Sequence, residues 1–179
     1  MITRVNNRAL ILIELLAAIV ILTFLAAIVT GIFILTTEDH YTGASEQQLQ
    51  YKVNTLLAKI IEGKPEPGGI FRLSEAVTYN LVDISELHFT GTDSIERWFR
   101  LDSPSRSVIY HHPTALGIVD ETIYTAPAGT VITLRFSIPA GPQYEGVVVG
   151  IDAALTCSAF GRTVSGSAST YVNIRNHSV

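Results

Sequence analysis

The sequence predicts an α+β fold in which one long N-terminal α-helix precedes a β-rich domain. Three observations support this prediction: an apolar run over residues 9–35, apolar side chains at helical spacing over residues 49–61, and short β-type runs divided by turn residues after Gly69. The chain has 179 residues and a net charge of -4. We therefore expect one membrane-type segment and one globular domain.

The apolar run of residues 9–35 is longer than the roughly 20 residues that span a bilayer. A cleaved secretory signal is disfavoured because its apolar region is typically about 7–15 residues long. Arg4 and Arg8 precede the run and residues 1–9 contain no acid, which places the N-terminus in the cytoplasm. A plain signal anchor, a cleaved signal and a segment that requires its one acid remain open at this point.

Glu14 is the one ionisable residue inside the run. A charged group near the centre of a spanning helix costs on the order of 3 kcal/mol or more, so such a residue indicates a function. A segment that only anchors the chain has no need of it. The sequence therefore predicts a role for Glu14 and a partner that neutralises it.

Residues 8–16, Arg-Ala-Leu-Ile-Leu-Ile-Glu-Leu-Leu, resemble the N-terminal cleavage and methylation motif of type IV prepilins and type II secretion pseudopilins. The resemblance implies that prepilin peptidase removes residues 1–9 as a leader by cutting between Ala9 and Leu10, and that Leu10 is then N-methylated. It also implies that Glu14 pairs with the freed amino group of a neighbouring subunit and so sets the register of assembly. Ala9 stands where the family usually has glycine, and Leu10 where phenylalanine or methionine is more common.

The resemblance implies a structural subunit and not an enzyme: a minor pseudopilin of a type II secretion system, or a minor pilin of a type IV pilus, assembled into a helical filament. Its partners would be prepilin peptidase, other pilin or pseudopilin subunits, the inner-membrane assembly platform and, before assembly, membrane lipid. It would start as a single-pass protein of the bacterial inner membrane, with the N-terminus cytoplasmic and the globular domain extracytoplasmic.

Two absences favour a minor subunit. Cys157 is the only cysteine, so the C-terminal disulfide loop common in major type IV pilins cannot form, and residues 172–179 contain no acid for the calcium loop of major pseudopilins. The competing interpretation is a single-pass, membrane-anchored binding domain that does not polymerise. We expect no cofactor and no metal, and the acidic net charge disfavours nucleic acid as a partner.

A single helix is predicted over residues 10–62. Residues 10–35 would form the transmembrane segment and filament core, and residues 36–62 are amphipathic. Their apolar face comprises Leu49, Val53, Leu56, Leu57, Ile60 and Ile61. Gly63 and the prolines that follow end the helix. Gly31 lies inside it, where many pilins carry a proline that lets the helix unwind, and is either a milder version of that flexible point or a tolerated glycine.

Residues 63–179 are predicted to form an antiparallel sheet whose inner face packs on the apolar face of the helix, the pilin-like ladle arrangement. A short connecting helix is expected over residues 70–77. Strands are expected at 81–89, 94–101, 107–111, 117–124, 131–138, 145–155 and 163–174, with a bulge in the last.

Four further features have ordinary structural explanations. His111 and His112 are expected in a solvated turn, and they cannot share a metal because adjacent strand residues point to opposite faces. Residues 38–40, Glu-Asp-His, fit a polar collar where the helix leaves the membrane. Trp98 is expected in the core of a central strand, with a contact to DNA or a cargo protein as the alternative. Residues 176–178 match a glycosylation sequon, which we interpret as a chance match.

Overall fold

The structure is a computed structural model that describes the backbone of residues 7–140 and 148–174 and the side chains of residues 11–140 and 148–174. Within these residues it contains one long α-helix, a short 3-10 helix and ten β-strands. Every strand pair is antiparallel. The protein is therefore α+β, as the sequence predicts.

The helix α1 spans Asn7–Glu62 without a break, which confirms the helix predicted over residues 10–62. It ends at Gly63, whose φ is +76°. A Cβ at this position would overlap the carbonyl oxygen of Phe71, so glycine is required both by the backbone angle and by the space available. The predicted end of the helix is confirmed.

The chain divides into two compact units inside α1, between Gly43 and Ala44. The sequence predicts the start of the globular domain at residue 63. In the first unit the described residues are all helical, and we call residues 11–35 of it the apolar segment. The second unit, Ala44–Val179, contains the C-terminal part of α1 and all the described strands, and we call it the head unit.

The strands of the head unit form three separate sheets, where the sequence predicted one. Their bounds are β1 Lys64–Glu66, β2 Gly69–Phe71, β3 Thr78–Asp83, β4 Glu86–Thr90, β5 Glu96–Asp102, β6 Ser107–Thr114, β7 Gly117–Thr125, β8 Thr130–Ser137, β9 Val148–Ala159 and β10 Arg162–Asn173, with the 3-10 helix at Leu73–Glu75. The first two strands form a hairpin, the next five a sheet in the order β3-β4-β5-β6-β7, and the last three a sheet in the order β10-β9-β8.

Two predicted elements near the start of the head unit differ from the structure. The strand predicted over residues 81–89 is two strands, because the chain turns at Ile84 and Ser85. The Asp83 carboxylate stabilises this turn by accepting the N–H of Ile84 at 2.6 Å. The helix predicted over residues 70–77 is reduced to the 3-10 helix, since β2 occupies its first residues.

The bulge predicted in the last strand is absent. β10 pairs with β9 without a register shift, and the irregularities lie instead in the β3–β4 and β6–β7 pairs. Tyr171, which made the apolar pattern look irregular, points outward and is 70% exposed, while Gly166 is buried at an inner position. The predicted strand over residues 145–155 is described from residue 148 onward, and its first three residues lie outside the described part of the chain.

The apolar face of α1 forms part of the core of the head unit, as predicted. Its buried members are Leu49, Val53, Leu56, Leu57 and Ile60. They share one cluster with strand residues such as Phe89, Leu134 and Ile151. Gly166 lets β10 approach the helix closely, because a Cβ there would lie 2.5 Å from the backbone nitrogen of Gln50. The side chain of Gln50 donates to the carbonyl of Ser167 at 3.0 Å, which fixes this approach.

Candidate functional site

Glu14 lies on the apolar segment among exposed apolar side chains. Ile13 is 68% exposed and Leu15 is 63% exposed, and Glu14 is exposed as well. Among residues 11–140 and 148–174, no side chain forms an ion pair or hydrogen bond with its carboxylate. The described part of the chain therefore supplies no partner for this acid.

The other polar side chains of the apolar segment are satisfied within the helix. The hydroxyl of Thr23 donates to the carbonyl of Val20 at 2.7 Å, and that of Thr30 donates to the carbonyl of Ala26 at 2.8 Å. Every side chain of the apolar segment is exposed, and α1 is long and apolar enough to cross a membrane. Glu14 is thus the one polar side chain of residues 11–35 for which the described part of the chain shows no hydrogen-bond partner.

The predicted processing residues lie on the same helix as Glu14. Ala9 and Leu10 belong to α1, but their side chains, and residues 1–6 of the predicted leader, lie outside the described set. Gly31 lies in unbroken helix, and a Cβ added to it would meet nothing within 4 Å. Residues 38–40, the predicted polar collar, also lie on α1 beyond the apolar segment.

Arg97 and Glu66 form a buried ion pair in the head unit that sequence reasoning missed. Their side chains are 2% and 3% exposed. Arg97 Nη2 donates to Glu66 Oε2 at 2.6 Å and to Asp93 Oδ2 at 2.7 Å, and its guanidinium carbon lies 4.0 Å from the centroid of the Phe71 ring. Because Glu66 belongs to β1 and Arg97 to β5, the pair holds the β1–β2 hairpin on the five-stranded sheet.

These charged groups shift one another's pKa values. Burial opposes the charge on Arg97, but its hydrogen bonds to Asp93 and Glu66 outweigh burial and raise the pKa of Arg97. The hydrogen bond from Arg97 holds the pKa of Asp93 below its ordinary value. Burial and a hydrogen bond to Glu66 raise the pKa of Tyr110, whose hydroxyl donates to Glu66 Oε1 at 2.7 Å. Arg97 and Asp93 are thereby held charged and Tyr110 neutral, which suits a structural cluster better than acid–base catalysis.

His112 extends this cluster toward β7. Its Nε2 lies 3.1 Å from Glu121 Oε2, and its Nδ1 lies 3.1 Å from the carbonyl oxygen of Pro113. The carboxylate and the carbonyl both accept hydrogen bonds, so the imidazole lies between two acceptors, one on β7 and one on its own strand. Lys64 forms an ion pair with Glu121, and its hydrogen bond lowers the pKa of that carboxyl.

The solvated turn predicted for His111 and His112 is wrong, because both residues lie on β6. The alternation of strand side chains places His112 in the buried face and His111 in the outer face, so the expectation that they point apart is confirmed. Among the residues that the structure describes, no group of three or more His, Cys, Asp or Glu side chains is arranged to hold a metal ion.

Trp98 lies on the outer face of the five-stranded sheet, so its prediction as a core residue is wrong. In β5, Arg97 and Phe99 point inward, which turns Trp98 outward, where it is half-buried. It stacks on His111, with ring centroids 4.8 Å apart and planes 8° apart, and more loosely on His88 at 6.2 Å. The guanidinium carbon of Arg100 lies 4.7 Å from the Trp98 ring centroid.

One sequence signal could have revealed the buried arginine. In a strand with period two, Arg97 shares a face with Phe99 and Leu101, which indicates an inward-facing cation and therefore a buried acid to pair with it. The identity of that acid could not be read, because Glu66 comes from a separate hairpin.

No protein-family model, no curated protein and no solved structure matches this chain. Function must therefore be inferred from the motif at residues 8–16, the exposed apolar segment and the geometry of the head unit.

Proposed function

We propose that this protein is a pilin-like structural subunit, a minor pseudopilin of a type II secretion system or a minor pilin of a type IV pilus. Prepilin peptidase would remove residues 1–9, and the mature chain would assemble into a helical filament. The observation that carries the proposal is Glu14, a carboxylate without a partner in the described chain, on an exposed apolar helix and inside a prepilin-like motif.

Two different environments could cover the apolar segment. Lipid would solvate its apolar side chains, but would leave the Glu14 carboxylate in hydrocarbon at a cost of about 3 kcal/mol or more. The apolar side chains would pack equally well against neighbouring helices of the same kind, and those helices could also supply a cation. Moving apolar side chains from lipid to another helix gains little hydrophobic free energy. Packing and the Glu14 pairing would therefore set the register between neighbouring helices.

The freed amino group is the cation that the motif provides. Cleavage between Ala9 and Leu10 places this amine four residues before Glu14 on the same helix. A neighbouring helix offset along the axis by about 6 Å, four residues at about 1.5 Å each, would bring its own amine level with Glu14. The pairing would therefore specify a stagger between adjacent subunits.

The head unit supports a structural role in this account. The head unit has its own core, built from the C-terminal part of α1 and the strands, so each subunit would carry one folded domain. The subunit would start in the bacterial inner membrane, N-terminus inside, and its partners would be prepilin peptidase, other subunits and the assembly platform. We propose no enzymatic activity for it.

Glu14→Gln tests the pairing, with Glu38→Gln on the same helix as the matched control. Each variant would replace the wild-type chain in its host cell, with membrane insertion measured by protease accessibility and assembly by sedimentation after mild solubilisation. We expect normal insertion for both variants. For Glu14→Gln we expect the assembled fraction to fall by about tenfold or more, because each 1.4 kcal/mol of pairing free energy lost lowers the association constant about tenfold. Equal assembly of both variants would contradict the pairing and favour a membrane-anchored binding domain.

A further inference from the structure

Four side chains from four neighbouring strands form one row on the outer face of the five-stranded sheet. The register pairs His88 with Trp98, Trp98 with His111, and His111 with Asp120. Trp98 stacks between the two histidine rings, and it is the only tryptophan of the chain. A change in the charge of either histidine is therefore adjacent to the one tryptophan, whose fluorescence can be excited selectively.

Both ring nitrogens of His88 face carboxylates. Its Nε2 lies 2.8 Å from Glu86 Oε1, and its Nδ1 lies 2.7 Å from Glu96 Oε1. An ionised carboxylate can only accept a hydrogen bond, so a neutral ring could serve one of these acids but not both. This geometry requires a doubly protonated His88, an imidazolium that joins β4 to β5.

The charged groups around His88 favour its charge on balance. Glu86 lies on its own strand and Glu96 on β5, while Asp83 ends β3 opposite Glu86. Arg100 lies opposite Glu86 in the register of β4 and β5, with its guanidinium over the Trp98 ring, and adds one positive charge. Beyond Trp98 the row continues with His111, whose Nδ1 lies 2.5 Å from Asp120 Oδ1, and the Trp98 ring separates this pair from His88.

We propose that His88 is a proton-operated latch on the outer face of the head unit. As an imidazolium it holds Glu86 and Glu96 together beside Trp98, and on losing its proton it releases Glu96 and loosens the stack on Trp98. Glu96 is the acid that leaves, because its side chain is 64% exposed and is readily solvated alone, whereas Glu86 is 21% exposed.

The sign of the pH dependence follows from the same contacts. Burial lowers the pKa of His88, but its hydrogen bonds to Glu96 and Glu86 outweigh burial and raise that pKa above the ordinary 6.5. The stabilisation from the latch is therefore complete below the ordinary value and is lost as the pH rises through the raised value. On opening, the surface around Trp98 loses one positive charge and exposes an aromatic ring.

The latch goes beyond the proposed function and depends on it only for the compartment whose pH it would sense. Titration of the purified chain does not involve filament assembly, so a failed latch and a failed pilin assignment would be told apart.

The test uses the full chain in detergent and follows Trp98 fluorescence from about pH 5 to about pH 9. His111→Gln removes the second histidine beside Trp98, so that the remaining transition reports His88. In this variant we expect one transition with a midpoint above 6.5. Adding Glu96→Gln should lower the midpoint toward the ordinary histidine value of about 6.5, and adding His88→Gln should abolish the transition.

Three results would overturn the latch: no transition in the His111→Gln chain, a midpoint at or below the ordinary histidine value, or the same transition after His88→Gln. Ring-nitrogen NMR of the isotope-labelled wild-type chain provides an independent measurement if a variant does not fold. It should show both His88 nitrogens protonated at about pH 6.5, and a neutral ring at that pH would also overturn the proposal.

Discussion

The apolar segment and the head unit differ in the surroundings of their acidic side chains. In the head unit, Glu66 is 3% exposed and receives hydrogen bonds from Arg97 and Tyr110. In the apolar segment, Glu14 is exposed and has no partner among the described residues. The first carboxylate finds its partners within the folded head unit, whereas the second would find one in the filament proposed above.

This difference separates stability from assembly. Where every buried charge has a partner, a substitution should change the free energy of unfolding. In the apolar segment, which lies outside the head unit, a substitution should change membrane insertion or subunit association and leave the fold of the head unit intact. The following substitutions test that separation, from the largest expected effect to the smallest.

Removing the cation of the buried pair should have the largest effect. Arg97→Met keeps a long apolar stem but leaves Glu66 buried without its cation, which should cost about 3–5 kcal/mol of unfolding free energy. Denaturant unfolding of the full chain in detergent, followed by near-UV circular dichroism, measures this cost.

Arg135→Met is the matched control, because Arg135 is exposed on β8. It should change the unfolding free energy by no more than about 0.5 kcal/mol. If the two variants lose the same stability, the pair of Arg97 and Glu66 does not hold the head unit together.

The same substitution made in both regions gives a smaller contrast. Gly166→Ala places a Cβ against the backbone of α1 and should cost about 1–3 kcal/mol, because neither backbone can easily move. Gly31→Ala meets no atom within 4 Å and should stabilise the helix by about 1 kcal/mol. Thermal unfolding of both chains measures the difference, and unchanged stability in Gly166→Ala would contradict the close approach of β10 to the helix.

The smallest effect on the head unit is expected from Glu14→Gln. Its unfolding free energy should stay within about 0.5 kcal/mol of wild type, because Glu14 lies outside that unit. The same denaturant curves measure it, and a large loss would show that Glu14 serves folding instead of assembly.

The regular parts of the fold could be predicted because their signals are local. The end of α1 follows from Gly63, and most strands lie between glycine, proline or aspartate turns. The turn that splits residues 81–89 has no glycine or proline at its centre, where Ile84 and Ser85 lie. It is stabilised by the side chain of Asp83, which accepts the N–H of Ile84. Local composition does not show such a turn.

The site residues divide in the same way. Glu14 could be identified from the sequence, because a single acid within an apolar run is visible from the neighbouring residues alone. The alternation of β5 indicates an inward Arg97 and so an outward Trp98, but the acid that pairs with Arg97 could not be identified, because Glu66 lies in a separate hairpin. The predicted bulge is absent because Tyr171 points outward and Gly166 takes an inner position against the helix backbone, so the strand alternates regularly. Contacts between distant segments decided each of these cases.

The central claim, that the apolar segment awaits a processed neighbour, is tested most directly by mass spectrometry of the mature N-terminus. The protein would be purified intact from host membranes and its N-terminal peptide sequenced. The account predicts a chain that begins at Leu10 and carries one methyl group on its amine. A chain that still begins at Met1 would contradict it, because the amine that Glu14 is proposed to bind would never be formed.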